Sequence, residues 1–88
     1  MPGHFLFEIV EEHYFTLQLH RIHKDAKRAD EFIDGVKWVL ARNPIAGFQV
    51  SDSVWFLPMT DAPETVSVNI YYTFNERSVY LLAIEIAP

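Results

Sequence analysis

The side chains able to do chemistry fall into three clusters, and the first lies on a stretch with helical spacing. His20 and His23 stand three residues apart with Glu12 two turns earlier, so the three share one helix face. Two imidazoles and a carboxylate suit zinc, but structural sites take four protein ligands and catalytic ones at least three around an open position, and no further ligand follows at metal spacing. A solvated face is the expectation there, with no metal and no other cofactor. The wider run His20, Arg21, His23, Lys24, Lys27 and Arg28 is the basic concentration of the chain, and Lys24, Lys27 and Arg28 are candidate contacts for an acidic partner. A helix end also favours such cations without any ligand. The third cluster alternates along two C-terminal runs, where Asn69, Tyr71, Thr73 and Glu85 share one side. Tyr71 is the one candidate acid or base, since Tyr72 and Tyr80 read as packed rings with satisfied hydroxyls.

These residues need elements to position them. Val66, Val68, Ile70, Tyr72 and Phe74 alternate with Ser67, Asn69, Tyr71 and Thr73, a period of two that defines a half-buried strand. Ser78 to Ala87 forms the next strand, and the two should pair as a hairpin through a three-residue loop, Asn75 to Arg77. That loop sets Tyr72 opposite Tyr80, Ile70 opposite Leu82 and Val68 opposite Ile84, with even positions inward and Leu81 and Ala83 outward. Asn69, Tyr71, Thr73, Leu81 and Ala83 then form an outer face that a short chain cannot cover with both helices, hence a candidate partner surface.

Upstream, His4 to Val10 reads as a first strand. From Glu11 the period becomes helical, with Phe15, Leu19, Ile22 and Ala26 on one stripe. A second helix runs from about Asp30, a fair N-cap, to Asn43, with Phe32, Ile33, Val36, Val39 and Leu40 inward and Trp38 off the stripe; it stops at Pro44. Residues 24 to 30 contain neither Gly nor Pro, so one long bent helix is the alternative to a helical hairpin. Val54 to Leu57 is a third apolar run, and Pro58 marks it as an edge strand or a strand end. The order is β-α-α-β-β-β, an α+β domain with two N-terminal helices packed on a small antiparallel-rich sheet.

Composition narrows the function classes. Eighty-eight residues, half of them apolar, make one domain, 1–88, with a modest core. Without cysteine there is neither a disulfide framework nor a thiolate site, and a reducing, cytoplasmic setting is expected. No apolar run approaches the ~20 residues that span a bilayer, and no secretory pattern opens the chain, so no membrane role is expected. A formal charge of −5 opposes direct binding to nucleic acid.

The helix end Trp38-Val39-Leu40-Ala41-Arg42-Asn43-Pro44 with Ala46-Gly47, and the hairpin Asn69-Ile70-Tyr71-Tyr72 with Val79-Tyr80-Leu81-Leu82-Ala83-Ile84, resemble the RelE/ParE toxin superfamily over most of the chain. The resemblance implies the small α+β fold, a prokaryotic type II toxin–antitoxin module and an antitoxin protein that wraps the toxin. Its members are either metal-independent, ribosome-dependent mRNA endonucleases or inhibitors of proteins such as gyrase. Where family nucleases carry an arginine this chain has Asn69, and it stops at Glu85-Ile86-Ala87-Pro88 without the usual His, Arg or Tyr residues. A phosphorane needs cationic stabilisation, so the expectation leans to a protein-binding toxin rather than an enzyme. The endonuclease and a degenerate or repurposed interaction domain are the alternatives, and a homodimer is a further possible partner arrangement.

Overall fold

The computed structural model describes residues 5–61 and 66–87. Strand β1 (Glu8–Glu11) leads into helices α1 (His13–Ile22) and α2 (Ala26–Arg42). A single 3-10 turn, Pro44–Ala46, and the two-residue strand β2 (Phe48–Gln49) follow. The chain ends with β3 (Trp55–Asp61), β4 (Val66–Phe74) and β5 (Ser78–Ile86). The class is α+β as expected: two helices on a five-stranded mixed sheet of order β1-β5-β4-β3-β2, in which β1 runs parallel to β5 and all other neighbours are antiparallel.

The helices are separate, and their junction lies earlier than Asp30. His23 leaves helical geometry with φ −111° and ψ 98°, its N–H closing α1 on the Leu19 carbonyl at 2.8 Å. Asp25 then caps α2 by accepting from the Lys27 N–H at 3.0 Å, which satisfies one of the orphan amides of the first turn. Ala26, the expected fourth position of the α1 stripe, therefore opens α2 and is exposed. Ala29, one turn on, is fully buried and draws the start of α2 into the core. Phe15 and Leu19 from α1 and Phe32, Ile33, Val36 and Leu40 from α2 complete the helical side of the core. Lys37 on α2 ties back to Glu11 on β1 at 3.0 Å.

The hairpin register differs from the one the pattern suggests. The Asn75 side chain accepts from the N–H groups of Arg77 (2.8 Å) and Ser78 (2.9 Å), while its own N–H donates to the Ser78 carbonyl at 3.0 Å. This Asx-type closure takes Ser78 into the turn and sets Phe74 opposite Val79, with Thr73 opposite Tyr80 and Tyr72 opposite Leu81. The odd residues Val79 and Leu81 thus point inward and are fully buried, whereas Tyr80 is half-buried on the other face. A bulge at Leu82 then shifts the ladder, so that Tyr71 meets Ala83 and Ile70 meets Ile84, and even parity is inward beyond it. The inner face of the sheet is accordingly Leu57, Val68, Ile70, Tyr72, Val79, Leu81 and Ile84.

Pro58 lies within β3 and beyond the reach of β2, which pairs only with Trp55 and Phe56. Its missing N–H therefore faces an open edge. Tyr72 anchors the far side of the core. Its hydroxyl donates to the Pro44 carbonyl at 2.6 Å and accepts from the Gly47 N–H at 3.1 Å, fixing the connection between α2 and β2.

Candidate interaction surface

With the core on the helical side, the opposite side of the sheet collects the side chains of alternate register. Strand β2 brings Phe48, β3 brings Phe56 and Pro58, β4 brings Asn69, Tyr71 and Thr73, and β5 brings Tyr80, Ala83 and Glu85. Each of these is exposed or half-exposed. Three rings step across the strands: Phe48 and Phe56 have centroids 5.4 Å apart, Phe56 and Tyr71 6.2 Å apart, with interplanar angles of 34° and 39°. Such cross-strand aromatic contacts fix the rings while leaving apolar area open to a partner.

The ladder ends on a polar pair. The Tyr71 hydroxyl donates to Glu85 Oε1 at 2.8 Å. That hydrogen bond, followed by desolvation and the charge of Glu85, raises the Tyr71 pKa above 10.0, with a side-chain hydrogen bond from Asn69 opposing the rise. Tyr71 is therefore neutral at physiological pH, with its proton already committed to a carboxylate. It is a poor base and a poor proton donor to a third group. Neither Lys nor Arg stands on this face at positions 48, 56, 58, 69, 71, 73, 80, 83 or 85. One cation approaches from the helix layer: Arg21 lines an edge cleft together with Glu85 but makes no ion pair with it.

An NMR titration that follows the Tyr71 ring signals, resolved from those of Tyr14, Tyr72 and Tyr80, measures this pair. Glu85→Gln should bring the Tyr71 midpoint down toward the ordinary tyrosine value, because the acceptor loses its charge. Equal midpoints in both proteins would show that the hydrogen bond is not formed in solution.

Of the residues singled out in the sequence, Asn69, Tyr71, Thr73 and Ala83 do come together on this face. Leu81 does not: the turn taken by Asn75 to Ser78 rotates it into the core, where it is fully buried beneath the helices. Lys24 and Lys27 are exposed and Arg28 half-buried around the α1–α2 junction, in the helical layer and away from the aromatic ladder. His23 departs from the solvated cluster expected for it; it is 7% exposed and lies over Phe32 with ring centroids 5.1 Å apart. His20 remains exposed, so the two imidazoles do not converge, and among the described residues no group of three His, Asp or Glu side chains is placed to hold a metal ion. Trp38 is 61% exposed, with the Arg42 guanidinium 4.2 Å from its ring centre.

No protein-family model, no curated protein and no solved structure matches this chain. Among the described residues no helix is long and apolar enough to cross a membrane.

Of the ladder residues, Phe48 escaped the sequence reading, while Phe56 is legible there only as lying on the strand face opposite Trp55 and Leu57. A two-residue strand has no period to detect, and Phe48 acquires its role only through its partner Phe56. The visible signal was the alternation of Phe56 against Trp55 and Leu57, which the structure keeps: Leu57 is buried and Trp55 turns inward beside Phe74, ring centroids 5.6 Å apart.

Proposed function

We propose that this chain is a toxin-like component of a type II toxin–antitoxin module, similar to RelE/ParE toxins, that acts in the cytoplasm by binding proteins rather than by cutting RNA. The partners are an antitoxin and a target protein such as gyrase. The observation that carries this reading is the chemistry of the helix-free sheet face, with its three stepped rings, no Lys or Arg, and a tyrosine hydroxyl bonded to a carboxylate. A protein partner is recognised by such exposed aromatic area. A cleaving phosphodiester instead requires donors where negative charge develops, and losing one such donor costs about a hundredfold or more in rate. The net charge of −5 adds a second reason, since an acidic domain gains nothing from counterion release on RNA.

The experiment is induced expression in cells lacking the antitoxin, with primer extension across several transcripts. Growth arrest with intact transcripts is the expected result. Codon-positioned cleavage that disappears in Tyr71→Phe would overturn it in favour of the endonuclease, and unimpaired growth would leave an interaction domain without toxicity.

A further inference from the structure

Strand β5 outlasts its neighbour. Strand β1 pairs with it only from Ser78 to Leu81, and the Glu12 N–H makes the final bond, to the Leu81 carbonyl at 3.0 Å. From there the chain departs into α1, which runs beside the distal half of β5. The Ala87 N–H bonds Ser67 on β4 at 2.8 Å, so the odd residues address β4, and Ile84 and Ile86 turn their main-chain groups to the open edge. The Ile84 N–H is met by Gln18 Oε1 at 3.0 Å, a side-chain stop on an otherwise available strand. Nothing described meets Ile86 there, and its side chain is 60% exposed.

Between α1 and this edge lies a shallow cleft of about 240 Å³ lined by Gln18, Arg21, Ile22, Ile84, Glu85 and Ile86. Tyr14, Leu17 and Arg21 follow one another at helical spacing along the outer side of α1, and Tyr14 and Leu17 are 60% and 47% exposed. Among the described residues the edge is thus an apolar strip with one guanidinium, Arg21, and one carboxylate, Glu85, which also accepts from Tyr71, in the same cleft. That charge pattern selects the occupant. A uniformly acidic partner would satisfy Arg21 and oppose Glu85, and a basic one the reverse. A two-fold axis instead places each residue of a patch against its counterpart in the other copy, so a patch bearing one charge of each sign complements itself twice.

We propose that the α1–β5 edge is a two-fold interface between copies of this chain, with Ile86 and Leu17 packed across the axis and Arg21 of each copy facing Glu85 of the other. The strip as described is the six cleft residues together with Tyr14 and Leu17, fewer than the roughly 20–30 residues a side of a standard interface, so the dimer is a reversible one that dissociates on dilution. It leaves Phe48, Phe56 and most of the helix-free face open and shares with it only Glu85, which also accepts from the Tyr71 hydroxyl.

Sedimentation equilibrium of the full chain across a wide concentration range tests it. The wild type should show a monomer–dimer equilibrium. R21E and E85R should each weaken it by about tenfold or more, because each sets like charges in contact twice. The R21E/E85R double variant should recover association to within about threefold of wild type, since the swap restores both pairs. I86K should abolish it. All three positions are exposed in the monomer, and unchanged circular dichroism will confirm that folding is intact. A chain that is monomeric at every concentration, a dimer indifferent to I86K, or a double variant no better than the single ones would overturn the proposal.

Discussion

Replacing Gly47 by alanine is expected to destabilise the protein by about 3 kcal/mol, near the upper end for overpacked sites. The reason is space and not backbone conformation, since Gly47 has φ −89°, which any residue adopts. A Cβ at this position would overlap the Phe56 carbonyl oxygen, a backbone group on β3 that cannot swing aside, and would stand 2.7 Å from the Tyr72 hydroxyl. The close approach exists because β2 must cross from the 3-10 turn to β3 while the Gly47 N–H reaches Tyr72. For a domain of this size each kcal/mol lowers the melting temperature by about 4–8 °C, so Gly47→Ala should lose more than about 10 °C.

Tyr72→Phe relieves only one of the two overlaps and leaves the Pro44 carbonyl and the Gly47 N–H without their partner, a cost of about 1–3 kcal/mol. The double variant should therefore be no more stable than Gly47→Ala alone. Urea denaturation of the three variants decides this, and a Gly47→Ala protein as stable as wild type would show that β3 yields at Phe56. Tyr72 adds a pH dependence. Burial raises its pKa above 10.0 against the opposing hydrogen bond from the Gly47 backbone. A raised folded pKa means that the folded state holds the proton longer, so this contribution is fully present below the unfolded value near 10 and is lost as pH rises through the folded one. In Tyr72→Phe that part of the alkaline loss of stability should vanish.

Much of this architecture was legible because long periodic segments carry their own signal. The alternation from Val66 to Phe74 and the stripe Phe32, Ile33, Val36, Leu40 specified a strand and a helix that tertiary packing had only to accept. What was hidden depended on single hydrogen bonds. Asp30 is the cap the sequence pattern suggests, but α2 starts at Ala26 with Asp25 accepting from the Lys27 N–H, and Ala29 is then buried. The aromatic sheet face was half visible for a similar reason. Asn69, Tyr71 and Thr73 follow the strong period of β4, whereas β5 is apolar on both faces and its parity had to be inferred from the loop. Asn75 looked like the first residue of a three-residue loop, yet its side chain organises a longer turn, which shifts every residue up to the bulge at Leu82.

That shift has a measurable signature in two adjacent leucines. Leu81 is fully buried against the helices, so Leu81→Ala removes core contacts and leaves a cavity, at a cost of about 3 kcal/mol within the 2–5 range for such truncations. Leu82 is the extra residue of the bulge and only half-buried, so Leu82→Ala should cost less than about 1 kcal/mol. The order matters more than either value. A three-residue loop with even positions inward would bury Leu82 and expose Leu81, reversing the two costs, whereas the Asn75-closed turn makes Leu81 the sensitive site. Shortening the turn side chain by Asn75→Ala removes the acceptor for the Arg77 and Ser78 amides, the only described side-chain bonds that distinguish the two loops, and should lower stability in the same direction. Equilibrium urea denaturation of the two leucine variants settles the register: a larger loss in Leu82→Ala than in Leu81→Ala would mean that β5 pairs in solution with its even residues inward throughout, and would return Leu81 to the outer face beside Tyr71 and Ala83.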